Sequence, residues 1–215
     1  SFSLATTSPA GPIVWPVAMG AMEGGMQMVT PSCTTTPATS QRDAAVQLVN
    51  TTVAGTSKYT RLAVAKADGY VPITPSGRPV VHYAKVADMK DTNTLDPNAI
   101  ESLVYANTAH GAVLVAAMYT LSLDQVGQMP PMPGGCLTEW HIHTNLCFSN
   151  TTGAVVGVTR NGVCAAGSTN HVTQPMLHVW LAPIPGGPLT VDASNAAVVQ
   201  AASRLPALNS PNARA

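Results

Sequence analysis

Residues 101–121 read "ESLVYANTAHGAVLVAAMYTL" and constrain the fold more than any other stretch. Two apolar runs, 101–107 and 111–121, flank a short polar turn. They are rich in Val, Leu, Tyr and Ala, and the turn carries Thr108, His110 and Gly111. Such a pattern predicts a β-hairpin, and a hairpin makes its strands antiparallel.

Further strand signals surround this hairpin. "RPVVHYAKV" (78–86) precedes it, and "LTEWHIHTNLCF" (137–148), "GAVVGVT" (153–159), "GVCAAG" (162–167) and "QPMLHVWLAPI" (174–184) follow it. Arg160-Asn161-Gly162 carries an Asn-Gly turn signal between two of these runs. "GQMPPMPGG" (127–135) reads as a loop. Helix is expected in two places. Residues 41–67 carry apolar residues near helical spacing, with Ser40 as N-cap, an interruption at Gly55 and an end at Asp68-Gly69. Residues 192–205 read as a C-terminal helix starting at Asp192 or Ser194. The expected fold is therefore α+β: an antiparallel sheet or small barrel with an N-terminal helical segment and a C-terminal helix.

Residues 1–40 are dense in Pro, Thr, Ser, Gly and Met without a helical or strand period. They read as an extended arm on a single domain spanning 41–215. A segment of this composition orders only by lying on something, either its own domain or a neighbouring subunit. The partners expected are a protein or a second copy of the chain, met through this arm, with a membrane complex as one setting.

Charged residues make up 9% of the 215-residue chain, with zero net charge. About a quarter would be usual. No basic run suggests nucleic acid as a partner. No apolar run reaches the roughly 18 residues of a membrane span. The opening "SFSLATTSPAGP" fits a mature exported chain whose signal has been removed. The cysteines Cys33, Cys136, Cys147 and Cys164 include no C-x-x-C pair. In an exported chain they are expected as disulfides, with Cys147–Cys164 closing the shorter loop and Cys33–Cys136 tying the arm to the loop before residue 137.

Alternation makes the histidines informative. In a strand, residues two apart share a face, so His141 and His143 point one way and Trp140 and Ile142 the other. Glu139 continues the histidine face as a ligand, a general base or an acceptor that orients an imidazole. His178 in "MLHVW" and His82 in "VVHY" lie in apolar strands and are the candidates to complete the set. His110 and His171 sit in turn-like segments and read as ordinary side chains. A three-His site suits copper, zinc or iron. Copper is favoured because Met19, Met22, Met26 and Met28 crowd the arm, and thioether sulfur is soft. The plainer reading of those methionines is adaptable packing.

Two resemblances add to this. Gly135, five residues and His141-Ile142-His143 resemble the first cupin motif, though residues 144–148 lack its following Glu. More broadly, "ADGY" (67–70), "HY" (82–83), "LDP…ESLVY" (95–105), "WHIHTNLCF" (140–148) and "MLHVW" (176–180) resemble an uncharacterised family of exported actinobacterial proteins. That resemblance implies export and a shared histidine site. The function expected is an extracytoplasmic metal-binding protein, for binding or delivery or as an accessory subunit. A three-His metalloenzyme, hydrolytic or oxidative, and a metal-free structural subunit are the alternatives. G-x-S-x-G and H-E-x-x-H motifs are absent from the sequence.

Overall fold

The computed structural model describes residues 25–125, 127–191 and 193–205. In chain order its elements are β1 (Met26–Met28), α1 (Thr39–Thr56), α2 (Leu62–Ala67), β2 (Val71–Pro72), β3 (Val80–Ala84), β4 (Ser102–Thr108) and β5 (Gly111–Thr120). They continue with β6 (His141–His143), β7 (Leu146–Ser149), β8 (Val155–Val158), β9 (Ser168–Asn170), β10 (Met176–Trp180) and α3 (Asn195–Ala202). The fold is α+β. A seven-stranded antiparallel sheet runs β1-β6-β10-β5-β4-β3-β2, and a second sheet runs β8-β7-β9. Among the described residues neither closes into a barrel.

The hairpin β4–β5 lies near the middle of the large sheet, with β3 on one side and β10 on the other. Strand alternation gives the sheet two faces. Leu103, Tyr105, Tyr119, Leu177, Val179 and Ile142 share a core cluster with Ala45 and Leu48 of α1. Thr52 Oγ1 meets Tyr119 Oη there at 2.9 Å, so a buried phenol keeps a partner. The opposite face carries Val80, Val104, Ala106 and Ala116, clustered with Val198, Ala201 and Ala202 of α3. The same face carries His82, His141, His143 and His178, as the strand registers require.

Several sequence expectations shift. Helix α1 starts one turn's edge earlier than residue 41, with Ala38 as its N-cap in place of Ser40. Gln41 supplies the polar contact there, its Oε1 accepting from Ala38 N at 2.9 Å. Gly55 does not interrupt the helix; it sits inside α1, which breaks after Thr56. The long strand expected over 137–148 is two short ones in different sheets, because the chain turns out at Thr144 and Asn145. The 162–167 stretch forms no strand. Asn161 (φ 51°) and Gly162 (φ 78°) make the expected tight turn, closed by a single Arg160–Val163 bridge. Ser168–Asn170 instead forms β9. Helix α3 begins after Ser194, whose Oγ accepts from Ala197 N at 3.2 Å.

Both expected disulfides are present, Cys33–Cys136 and Cys147–Cys164. The first closes a loop with a sequence separation of 103 and holds the segment after β1 to the loop before β6. Within the segment read as an arm, Met26–Met28 is a strand of the large sheet. Residues 1–24, including Met19 and Met22, lie outside the described residues.

Gly55 explains its place by contact. A Cβ there would stand 2.1 Å from the Pro97 carbonyl oxygen. In an open helix, Gly→Ala stabilises by up to about 1 kcal/mol. Here the sign should reverse: Gly55→Ala is expected to destabilise by about 1–3 kcal/mol, the range for overpacking. Urea unfolding of the variant checks this.

Candidate metal centre

The site starts from β1 and β6. These two strands pair with Met26 opposite His143 and Met28 opposite His141. The pairing continues past both ends. Thr144 N donates to Gly25 O at 2.8 Å, and Val29 N donates to Trp140 O at 2.8 Å. Thr30 Oγ1 donates to Thr138 O at 3.0 Å and accepts from Trp140 N at 2.9 Å. Gly25 (φ 78°) is required where it stands, since a Cβ would meet Asn145 at 2.4 Å. On its other edge β6 meets β10 at one residue pair, Met176 opposite His141.

His178 on β10 lies across from Met118 on β5, and His82 on β3 lies across from Val104 on β4. Strands β10 and β3 are three places apart in the sheet. In a flat sheet that separation is about 14 Å, at roughly 4.8 Å per step. Yet His178 Nε2 and His82 Nε2 are 3.5 Å apart. The sheet must therefore curl strongly toward the histidine face. A register shift at Val104/Tyr105 is a local source of that bending.

The small sheet ties the two sides of the curl together. Thr173 N donates to His143 O at 3.0 Å, and His143 N donates to Thr173 Oγ1 at 2.9 Å. On the far side, Val155 N of β8 donates to Ile73 O at 2.7 Å. Ile73 N in turn donates to His82 O at 2.9 Å. The segment just after β9 thus bonds to His143, and β8 bonds to Ile73, which in turn bonds to His82.

Inside the curl the imidazoles form one cluster. His141 stacks on His178 with ring centroids 5.3 Å apart, and His178 stacks on Trp180 at 5.2 Å. His143 meets His141 edge-on at 5.4 Å, and His82 meets His178 at 5.8 Å. His141 is fully buried and His178 nearly so, while His82 and His143 are half-buried.

Burial sets the protonation of all four. It pushes His82 down to about 4, with neighbouring His143 adding to the effect. It pushes His141 down to about 3, helped by His143 and His82 and opposed by the Glu139 backbone carbonyl. Burial also lowers His143, and it lowers His178 strongly, with His141, His82 and His143 adding. At neutral pH these are uncharged rings with a lone pair to offer, the form that binds metals.

Their hydrogen bonding is incomplete. Neither Nδ1 nor Nε2 of His141 reaches a partner at full hydrogen-bond geometry, the Glu139 carbonyl acting on the ring only from nearby, and Nδ1 of His178 is unpartnered. Ser102 Oγ and Thr120 Oγ1, which the registers put on the same face, are also unpartnered. Buried polar atoms normally find partners, so a concentration of orphans on one face marks a place that receives something polar, either an ion or ordered water.

Of the five residues singled out from sequence, the fold brings His82, His141, His143 and His178 together. Glu139 arrives differently. It lies just before β6, half-buried, and its Oε2 accepts from Val191 N at 3.2 Å. Its carboxyl is raised by that burial and lowered by the Val191 bond, with no imidazole among the causes. His110 stands in the β4–β5 turn, and His171 packs near Phe148 with ring centroids 6.0 Å apart. Among the described residues, no three His, Cys, Asp or Glu side chains are already converged as a finished ligand set. The His82–His178 pair is nonetheless close to chelating distance: two nitrogens at about 2.0–2.1 Å on one tetrahedral ion stand about 3.3 Å apart. Sequence reasoning missed Met118, Met176 and Trp180 on this face, although Met176-x-His178-x-Trp180 carries the same alternation.

Compared with family models, curated proteins and solved structures, the chain matches none of them.

The buried titrating groups predict a two-armed stability profile for metal-free protein. Each depressed imidazole takes up its proton less readily when folded. Its contribution is complete above about 6.5 and is lost as pH falls through about 4 toward 3. Glu101 acts in the opposite sense. Burial pushes its carboxyl up to about 9, so its contribution is complete below about 4.5 and is lost as pH rises toward 9. Denaturant unfolding across pH 4–9 should show Glu101→Gln flattening the alkaline arm, by up to about 1.4 kcal/mol per pH unit.

Proposed function

We propose that the chain is an extracytoplasmic metal-binding protein whose ion is held by His82, His141, His143 and His178, with copper as the favoured metal. The observation that carries this reading is His141. It is a fully buried imidazole with neither nitrogen at full hydrogen-bond geometry, only the Glu139 carbonyl nearby, inside a cluster of three more neutral imidazoles. A core histidine kept for packing alone would ordinarily have its nitrogens hydrogen-bonded. The role proposed is binding or delivery of the ion, or service as an accessory subunit of a larger assembly.

Export is part of the same proposal. Two disulfides and no free cysteine among the described residues suit an oxidising compartment. No helix among the described residues is long and apolar enough to cross a membrane. A binding role is preferred over a hydrolytic one because Glu139, the carboxylate beside the histidine strand among the described residues, is tied to Val191.

Metal analysis and titration test the reading. Purified chain is expected to take up one equivalent of copper. His141→Ala and His178→Ala should each weaken binding at least about tenfold, the size of effect that loss of even an outer-shell partner produces. His110→Ala, in an exposed turn, should leave it unchanged. Glu139→Gln should also leave it unchanged. No uptake by the wild type, or equal uptake by all variants, would overturn the proposal in favour of a metal-free structural role.

A further inference from the structure

Resting on the histidine site just proposed, we infer that the site selects a monovalent soft ion, Cu(I), by adding thioether sulfur from Met28 and Met176 to the imidazole of His141. The register places these two methionines directly opposite His141, one on each neighbouring strand. Directly opposite residues share a face, with Cβ atoms about 4.5–5.5 Å apart. A long, flexible thioether therefore reaches the ring from either side. Both side chains are buried, Met28 at 5% and Met176 at 8% exposure.

The pattern extends around the cluster. Met26 is opposite His143, and Met118 is opposite His178. Four of the chain's nine methionines are thus cross-strand neighbours of three histidines on one face.

Charge points the same way. Among the described residues no carboxylate converges with the histidines, and the Glu139 carboxylate is engaged with Val191. The donors are all uncharged. Burying an ion costs free energy in proportion to the square of its charge, so a divalent ion is penalised about fourfold more than a monovalent one. With no carboxylate among the described residues to offset it, this set suits a single positive charge. Soft sulfur and imidazole nitrogen then favour Cu(I) over Zn(II).

The test uses the full chain with Cu(I) supplied under reductant mild enough to leave the disulfides intact. A chromophoric Cu(I) chelator competes for the ion, and Ag(I) and Zn(II) serve as rival probes. Expected results are Cu(I) retention, displacement by Ag(I) but not by Zn(II), and sulfur scattering at the copper absorption edge of the wild type. Met28→Leu and Met176→Leu conserve volume and should each lower Cu(I) affinity at least about tenfold while leaving Zn(II) binding unchanged. The absorption measurement needs no variant, so it decides even if a substitution impairs folding. Cu(I) bound through nitrogen alone, or equal affinity in both leucine variants, overturns the thioether assignment and leaves the histidine site standing. Preference for Zn(II) overturns the selectivity and likewise spares the site. A wild type that binds neither Cu(I), Ag(I) nor Zn(II) removes the histidine site itself.

Discussion

Everything at the histidine cluster depends on the curl of the large sheet. Strands three places apart contribute His82 and His178, and only bending brings their nitrogens within 3.5 Å. Thr173, just after β9, bonds to His143, and β8 bonds to Ile73 beside His82, so the small sheet and the segment after it join both sides of the bend. Small side chains on the concave face help. Ala116 and Ser102 lie on β5 and β4, between the strands that carry the two histidines, and they leave room for long side chains to meet across them. Had that face been filled with Leu and Ile, the same hydrogen-bond ladder would have had to stay flatter.

The two faces of this sheet divide the energetics. The α1 face is an apolar core in which tyrosines satisfy their hydroxyls: Tyr70 donates to Ile100 O at 2.7 Å and Tyr105 to Tyr59 O at 2.5 Å. The histidine face leaves buried polar atoms unpartnered. Most of the unpartnered buried polar atoms among the described residues lie on the histidine face, with Glu101 Oε2 an exception on the other, and each such atom forfeits some stability.

Much of this was legible in the chain, and the reason is the period of two. Alternation alone placed His141, His143, His82 and His178 on inward strand positions, and the hairpin at 101–121 set the antiparallel frame between them. What escaped was whatever depends on contacts between distant segments. Gly55 looks like a helix break until Pro97 is seen against it. The strand after Leu137 looks continuous until Thr144 is seen bonding to Gly25 and the chain leaving for the second sheet. Glu139 keeps the right parity but meets Val191, a partner 52 residues away. Met118 and Met176 carry no signal of their own, because nothing local reveals which histidine a neighbouring strand will set beside them.

The pairing of β6 carries a warning about what an arm is. This strand of three residues supplies two of the four imidazoles, yet it meets the body of the sheet at a single residue pair. Its real partner is β1, zipped along its whole length and beyond both ends. The N-terminal segment is thus the scaffold of the histidine strand rather than a tail hung upon it. A chain shortened by thirty residues would lose the footing of its histidine strand by unzipping, whatever sulfur it had also lost. Trimming cannot distinguish a donor from a splint; only side-chain exchange on an intact strand can.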